Sequence, residues 1–295
     1  MKTLREYIKE AEEKRIAIGH FNISNLEALH GIYNVAKNLS ASGGTNVPVI
    51  IGLSEGEEEF VGKNEAVALI RKIREKDNYP IFLNADHHYS FESIKSVLDI
   101  GYDSAIIDAV KLPLKENIAL TKKCVDYAHE LSKKENRDIL IEAELGFIGT
   151  SSKILEEIPE GVSEATMTRT EDAKSFVEKT GIDLLAPSVG NVHGMIKSGN
   201  PKLDIERIKQ IRGACGVPLV LHGGSGISDE DFKKAIQAGI SIIHINTEIR
   251  VAYKQALEKF LKENPNEIAP YKILKPAVEA IEKVVESRLK LFSGF

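Results

Sequence analysis

The amino-acid sequence predicts an α/β protein of the (β/α)8 class, a TIM barrel, with one additional C-terminal helix. Short apolar segments alternate with longer segments of helical periodicity, which is typical of a parallel sheet covered by helices. Eight such units fit within the 295 residues, as expected for a closed barrel. The Gly-x-Gly-x-x-Gly motif of open, doubly wound sheets does not follow the first apolar segment.

The eight predicted strands are short apolar runs. In chain order they cover residues 16–21, 47–52, 79–85, 104–108, 138–145, 182–187, 217–222 and 241–246. A run of this length between helical segments is typical of a buried strand. The order of the runs predicts that each strand is followed by its own helix.

The predicted helices have apolar residues three or four positions apart, as Leu26, Leu29 and Ile32 do in the first one. They cover residues 26–36, 65–76, 91–100, 114–134, 171–179, 205–212, 229–238 and 248–262. A further amphipathic helix covers 271–291, within a C-terminal extension of about 265–295. We expect this helix to cap the barrel or to form the interface of a homodimer or homotetramer, and we expect residues 1–295 to form one domain.

Composition excludes several classes of protein. The chain has 39 Lys and Arg against 44 Asp and Glu, a net charge of -5, so it is neither a basic nucleic-acid-coating protein nor an acidic disordered one. Two cysteines, Cys124 and Cys215, are too few for a disulfide scaffold. The charged N-terminal segment lacks the apolar core of a signal peptide, and no apolar run approaches the roughly 20 residues of a membrane span. We therefore expect a cytoplasmic protein without nucleic-acid or membrane partners.

Three histidines follow strand ends, and together they predict a metal site. His87 lies just beyond the third predicted strand, His193 lies in the loop after the sixth, and His222 ends the seventh. In a barrel these ends meet on one face, where three imidazoles with an open fourth position describe a catalytic zinc site. The alternative is three unrelated histidines that hydrogen-bond to backbone, and the coincidence of three favours the metal.

Four carboxylates lie beside these histidines. Asp86 precedes His87 and is expected either to transfer a proton or to orient a ligating imidazole. Asp108 ends the fourth strand, and alternation places Glu142 and Glu144 on the same side of the fifth. Two explanations are open for acidic residues at these strand ends. They pair with Lys or Arg, or Asp108 and Glu144 bind a second cation.

Two loops after the seventh and eighth strands predict a phosphate site. One contains Gly223, Gly224 and Ser225, and the other contains Asn246 and Thr247. Glycine-rich turns that lead into helices offer free backbone N–H groups, and barrels often bind phosphate between these two loops. A tight turn capped by Ser228 is the structural alternative. Lys197 lies four residues past His193 and is expected to add positive charge.

The remaining candidates are less specific. Ser54 ends the second strand and precedes an acidic run, 55–59, which we interpret as a solvated helix start. His244 is expected to line the barrel mouth. The irregular stretch 149–168 is either a mobile active-site element or a disordered surface loop, and it contains Glu156, Glu157 and Glu160.

Together these motifs resemble those of the class II, metal-dependent fructose-bisphosphate and tagatose-bisphosphate aldolases. The motifs are Asp86-His87, Glu142-Ala143-Glu144-Leu145-Gly146, Gly190-Asn191-Val192-His193-Gly194 and Val220-Leu221-His222-Gly223-Gly224-Ser225-Gly226. The resemblance implies a (β/α)8 barrel with a catalytic Zn²⁺. It implies reversible cleavage of a ketose 1,6-bisphosphate, fructose 1,6-bisphosphate first among them, to dihydroxyacetone phosphate and glyceraldehyde 3-phosphate, a reaction of glycolysis and gluconeogenesis.

The resemblance also assigns roles to residues. His87, His193 and His222 match zinc ligands, Asp86 matches the acid/base near C4, and Asp108 and Glu144 match a second position for a divalent or monovalent cation. The residues that match contacts to dihydroxyacetone phosphate are Gly194, Gly223, Gly224, Ser225, Asn246 and Thr247. Ser54 matches a contact to the other phosphate, and Lys197 a lysine near the first.

Four departures from the family pattern keep other substrates and functions open. His244 stands where the family has an asparagine that contacts substrate, and Asn246 stands where it has an acid. Ala109-Val110 replaces a small polar pair, and Thr150-Ser151-Ser152-Lys153 replaces a glycine and acids in the loop. The alternatives are an aldolase for tagatose bisphosphate or another sugar phosphate, a sugar-phosphate-binding barrel with impaired catalysis, and a zinc hydrolase that uses the same imidazoles.

Overall fold

Eight parallel strands close into a barrel in the computed structural model, which describes residues 1–44, 46–149 and 151–294. The strands are β1 Ile18–Asn22, β2 Val49–Ser54, β3 Ile81–His88, β4 Ser104–Ile107, β5 Leu140–Leu145, β6 Ile154–Leu155, β7 Leu184–Pro187, β8 Met195–Ile196, β9 Leu219–Leu221 and β10 Ile240–Ile245. The barrel order is β1, β2, β3, β4, β5, β7, β9, β10 and back to β1, while β6 and β8 form a separate parallel pair. The predicted (β/α)8 fold with its extra C-terminal helix is confirmed.

The helices lie mainly where the periodicity predicts them. They are α1 Leu4–Lys14, α2 Leu26–Gly43, α3 Glu55–Val61, α4 Lys63–Asp77, α5 Phe91–Leu98, α6 Leu114–Glu135, α7 Thr170–Thr180, α8 Ile205–Cys215, α9 Asp229–Ala238, α10 Thr247–Glu263 and α11 Pro270–Ser293. Polar side chains fix several helix starts by accepting a hydrogen bond from a backbone N–H in the first turn. Asn25, Ser90, Asp204 and Ser228 cap α2, α5, α8 and α9 in this way.

The barrel interior changes from apolar to polar along the strands. Its amino-terminal layer consists of Ile18, Ile50, Phe82, Leu140, Leu184, Val220 and Ile242. Two residues further along β1, β3 and β5, on the same face, lie His20, Asn84 and Glu142, all buried. This gradient places the chemistry-bearing side chains at the carboxyl ends of the strands.

Helix α1 closes the apolar end of the barrel. Its Leu4, Tyr7, Ile8 and Ala11 belong to the same core cluster as the amino-terminal layer of the barrel. A capping box between Thr3 and Glu6 begins the helix. This helix is not among those predicted from the sequence, where the segment is considered only as a candidate signal peptide.

Helix α11, rather than α10, completes the ring of helices around the barrel. It packs against α2, α9, α10 and β1, and its buried residues are Ala277, Ile281, Val285, Leu289 and Phe292. Only Thr247 and Ile249 of α10, both in its first turn, are buried. The C-terminal helix therefore covers the barrel wall and neither end of it.

The stretch 149–168 contains regular structure. β6 pairs with β8, which lies in the loop after β7, and a 3-10 helix spans Glu164–Thr166. Thr150, one of the residues that depart from the family pattern, lies outside the described residues. Both cysteines are free, and no helix of the described ranges has the length and apolarity needed to cross a membrane.

Candidate active site

A cavity of about 290 Å³ opens at the carboxyl end of the barrel. It brings together most of the site residues that the sequence predicts: Ser54, Asp86, His87, Asp108, His193, Gly194, His222, Gly223, Ser225, His244, Asn246 and Thr247. Asn22, Tyr89, Gly149, Ser152 and Arg250, which the sequence analysis did not single out, line the same cavity.

The three predicted metal-binding histidines converge. His87 Nε2 and His222 Nδ1 are 3.1 Å apart, and the His193 ring centroid lies 4.8 Å from that of His87. Donor atoms of His87, His193, His222 and Glu144 all lie within 4.8 Å of one another. This spacing and donor chemistry suit a divalent transition metal.

The second nitrogen of each imidazole meets an oxygen acceptor. His87 Nδ1 is 3.2 Å from Asp108 Oδ2, His193 Nδ1 is 2.9 Å from the Gly149 carbonyl oxygen, and His222 Nε2 is 2.6 Å from Glu142 Oε1. Metal-ligating histidines are usually oriented by such partners, which also fix the tautomer. The arrangement leaves His87 Nε2, His193 Nε2 and His222 Nδ1 for a shared ligand.

Glu144 supplies an oxygen to the same cluster. Its Oε2 is buried without a hydrogen-bond partner in the described parts of the chain, and it lies 3.8 Å from His87 Nδ1 and 3.9 Å from His222 Nδ1. A buried carboxylate oxygen without a partner is costly unless a cation satisfies it. The residues present therefore fit a bound metal, and histidines, not Lys or Arg, lie beside Glu142 and Glu144.

The electrostatics of the cluster favour positive charge beside His87. Burial alone lowers the pKa of His87, but Asp86, Asp108 and Glu144 outweigh it and raise that pKa to about 10. Burial and the charge of His87 lower the pKa of His222 to about 3, and burial with both other imidazoles lowers that of His193 to about 3. Neutral imidazoles are the form that binds a metal, and a metal at His87 would replace the proton.

The backbone of β3 explains how two adjacent residues reach one site. Successive residues of a regular strand point to opposite faces, so Asp86 and His87 would diverge. The register of β3 with β4 shifts between Ala85 and His88, and His87 has a left-handed φ of 53°. Such conformations are uncommon for residues other than glycine and concentrate at functional sites.

The two carboxylate oxygens of Asp86 differ in their hydrogen bonding. Asn22 Nδ2 donates to Asp86 Oδ2 at 2.8 Å, while Oδ1 has no hydrogen-bond partner among the described residues. Burial raises the pKa of Asp86, but the imidazoles of His87, His20 and His222 with the Asn22 hydrogen bond outweigh it and hold that pKa well below its usual range. The carboxylate is therefore ionised and presents one free acceptor.

Two further imidazoles form a wall of the site, and of these the sequence predicts His244 but not His20. His20 and His244 are paired in register on β1 and β10, and their rings stack with centroids 3.5 Å apart. His244 also stacks on His222, at 4.1 Å. Gly52 provides the space, because a Cβ there would lie 2.2 Å from the His20 ring.

The predicted phosphate loops lie at the cavity wall, where Asn246 immediately precedes the first turn of α10. Ser225 Oγ accepts a hydrogen bond from the Glu248 N–H at 3.1 Å, which joins the two loops. Gly224 donates its N–H to the His244 carbonyl and does not line the cavity. As the sequence alternative stated, Ser228 caps the helix that follows.

We expect that adding a methyl group at Gly223 destabilises the folded protein. Its φ is +60°, and a Cβ would lie 2.2 Å from the Val192 carbonyl oxygen. Gly223→Ala should lower the free energy of unfolding by about 2–4 kcal/mol, measured by urea denaturation. Gly213→Ala in α8 is the matched control, because nothing lies within 4 Å of its Cβ position. It should raise stability by roughly 0.5–1 kcal/mol, and an equal loss in both variants would contradict this account.

Lys197 and the loop acids lie outside the cavity. Lys197 Nζ pairs with Glu156 Oε1 at 2.5 Å, and both side chains are exposed. Glu157 and Glu160 are exposed too, and none of the three acids lines the cavity. The loop instead contributes the Gly149 carbonyl and Ser152.

The acidic run after Ser54 differs from the predicted solvated helix start. Glu57 and Glu58 are buried, although α3 does begin at Glu55. Glu58 Oε1 lies 3.3 Å from His88 Nε2, and Glu57 bonds to Asn22, Ser54 and Arg250. The run of glutamates in the sequence does not show which of them are buried.

Sequence comparison agrees with the geometry. A family model described as fructose-bisphosphate aldolase class-II matches residues 2–294. The fructose-bisphosphate aldolase of Geobacillus stearothermophilus is 37% identical over 295 residues, covering 99% of this chain and 96% of the relative. That of Staphylococcus aureus strain Mu50 is 38% identical, with 98% and 96% covered.

Solved structures are similar over the same span. The crystal structure of the YdjI aldolase from Escherichia coli K12 has a TM-score of 0.80 at 34% identity, covering 98% of this chain and 96% of that one. A putative fructose-1,6-bisphosphate aldolase from Coccidioides immitis has a TM-score of 0.79 at 26% identity, with the same coverage. This chain therefore belongs to the class-II fructose-bisphosphate aldolase family, a family of lyases.

Proposed function

We propose that this chain reversibly cleaves a phosphorylated ketose, with fructose 1,6-bisphosphate as the first substrate to test, into dihydroxyacetone phosphate and an aldehyde. The observation that carries the proposal is the convergence of three imidazoles beside Asp86, whose Oδ1 accepts no hydrogen bond from the residues that the structure describes. Membership of the aldolase family supports the same reaction and does not favour a zinc hydrolase or a non-catalytic binder.

We propose zinc as the metal, held by His87, His193 and His222, with Glu144 as an oxygen donor to the same cluster. When bound, the ion supplies Lewis acidity to the substrate carbonyl and stabilises the negative charge that develops as the carbon–carbon bond breaks. Asp108 and Glu142 accept hydrogen bonds from His87 and His222 and hold the rings in orientation. In this proposal Asp108 orients His87 and does not bind a second cation.

Asp86 is proposed as the catalytic acid and base. In cleavage its Oδ1 takes the proton of the C4 hydroxyl, and in condensation it returns that proton to the new hydroxyl. Asn22 donates to Oδ2, so it orients the carboxylate without blocking Oδ1. The low pKa of Asp86 keeps it ionised, ready to accept the proton.

The phosphate of dihydroxyacetone phosphate is proposed to bind at the loops after β9 and β10. Gly223 and Ser225 come from one loop, and Asn246 and Thr247 begin α10. Backbone N–H groups at the start of a helix favour an anion. Gly194 lines the same cavity, and the exposed Lys197 would have to leave Glu156 to contribute.

A coupled assay for dihydroxyacetone phosphate release tests the function. The purified chain should cleave fructose or tagatose 1,6-bisphosphate with zinc present and lose at least about 99% of that rate after chelation, since several kcal/mol of charge stabilisation disappears. Borohydride should not trap substrate on the protein. Trapping through a lysine, or release that is insensitive to chelation, would contradict the mechanism.

We also propose that residues 1–295 act as one domain in a cytoplasmic homodimer or homotetramer. Large apolar side chains exposed on the single chain support self-association, among them Phe60, Ile268 and Tyr271. Sedimentation at several protein concentrations measures the assembly, and a monomer at all of them would contradict it.

A further inference from the structure

One wall of the cavity contains a buried carboxylate that the proposed reaction does not use. Glu57 lies in the first turn of α3 and is 6% exposed. It does not belong to the histidine cluster, yet it contacts three residues that line the cavity, Asn22, Ser54 and Arg250.

Glu57 takes hydrogen bonds from five donors. Its Oε2 accepts from Asn22 Nδ2 at 2.8 Å, from the Ser54 N–H at 2.9 Å and from Ser54 Oγ at 3.0 Å. Its Oε1 accepts from Ser24 Oγ at 3.2 Å and from Arg250 Nη2 at 2.5 Å. These donors come from β1 and the loop after it, from the end of β2, and from α10.

Helix capping explains only part of this arrangement. Ser54 precedes α3 and Glu57 is the third helical residue, so the two form the Ser-x-x-Glu capping box. A capping box accounts for the contacts to Ser54 and functions on an exposed helix end. It requires neither the burial of Glu57 nor its bonds to Asn22, Ser24 and Arg250.

The same donors would otherwise attract an anion. Hydroxyls, an amide and a guanidinium that converge on one point are the usual partners of a phosphate. Among the described residues that line the cavity, Arg250 is the only Lys or Arg, and its side chain is 43% exposed. Glu57 neutralises this cation from inside the protein, so a phosphate approaching it also meets a carboxylate.

We propose that Glu57 is a specificity-determining residue that weakens the enzyme's preference for a second phosphate, on the aldehyde half of the ketose. The inference rests on the proposed function and concerns only this end of the substrate. The first phosphate is proposed to bind at the loops after β9 and β10. Glu57 and its donors Asn22, Ser24 and Ser54 lie at the ends of β1 and β2, and Arg250 reaches Glu57 from the first turn of α10. Ketose 1-phosphates with an uncharged far end are therefore accepted alongside bisphosphates.

The test compares cleavage of fructose 1,6-bisphosphate with cleavage of fructose 1-phosphate in the zinc-loaded enzyme. Both substrates release dihydroxyacetone phosphate, so one coupled assay gives both kcat/KM values. Glu57→Ala removes the carboxylate and frees Arg250, and it should raise the bisphosphate-to-monophosphate ratio by about tenfold, because like charges side by side oppose binding. Glu57→Gln removes the charge but keeps the side-chain volume, and it should also raise the ratio.

Glu59→Gln is the matched control, since Glu59 is exposed on the same short helix. It should leave the ratio within about twofold of the parent value, as surface charges are well screened. Damage to Asn22 or Asp86 would lower both kcat/KM values together and leave the ratio unchanged. An unchanged or lower ratio in both Glu57 variants, with both substrates cleaved, would overturn the inference alone. Cleavage of neither substrate by the parent would instead overturn the proposed function, and the inference with it.

Discussion

Replacement of His193 by alanine is expected to lower turnover by at least about a thousandfold, the cost of losing several kcal/mol of charge stabilisation. His193 offers only Nε2 to the cluster, because Nδ1 is bound to the Gly149 carbonyl. The variant should retain less than one tenth of the bound zinc of the parent under the same dialysis, measured by atomic absorption, and should still fold. His87 and His222 remain but no longer complete a three-imidazole site.

His30→Ala is the control for the loss of a histidine as such, since His30 is exposed on α2. Its zinc content and turnover should equal those of the parent. Full zinc content in His193→Ala would remove His193 from the ligand set. Full turnover in a zinc-free preparation would contradict the metal mechanism as a whole.

Asp86→Asn is expected to lower kcat by about 10²- to 10⁴-fold while zinc content is unchanged, because the substitution removes the proton acceptor and keeps the side-chain volume. Asp86 Oδ1 lies 3.7 Å from both His87 Nε2 and His244 Nδ1, so it is close to the metal cluster without being part of the set that contains His193. Steady-state cleavage and metal analysis of the same preparation separate the two roles.

Asp126→Asn is the matched control, because Asp126 is exposed on α6 and forms an ion pair with Lys122. We expect parent-like turnover from it. Loss of zinc from Asp86→Asn, in parallel with loss of turnover, would assign Asp86 to metal binding and not to proton transfer.

Much of the fold follows from local pattern. Each barrel strand lies within a few residues of its prediction, and so do the helices that follow, except that α2 extends seven residues beyond its predicted end. Apolar spacing reports directly which face of a segment is buried. Helix α1 was missed because this charged segment was considered only as a candidate signal peptide, while four of its apolar residues close the barrel. The position of α11 in the helix ring was missed because amphipathicity shows that a face is buried but not what covers it.

The residues of the candidate site could also be predicted only in part. His87, His193 and His222 were found because they follow strand ends, and the carboxyl ends of barrel strands meet. His20 lies within a predicted strand and Arg250 within a predicted helix, and their place in the site depends on strand register and on how α10 packs. Asn22 does follow the first predicted strand, but it is not among the predicted site residues.

The barrel, the family motifs and the residue types of the candidate metal and phosphate sites can be predicted from the sequence, because they depend on periodicity and on order along the chain. The pairing of the side chains is visible only in the folded structure. The shift in β3 turns Asp86 and His87 into one site, Glu57 reaches Arg250, 193 residues away, and His20 stacks on His244 across the barrel closure. Such contacts join distant segments, and no local pattern encodes the register and packing that bring them together.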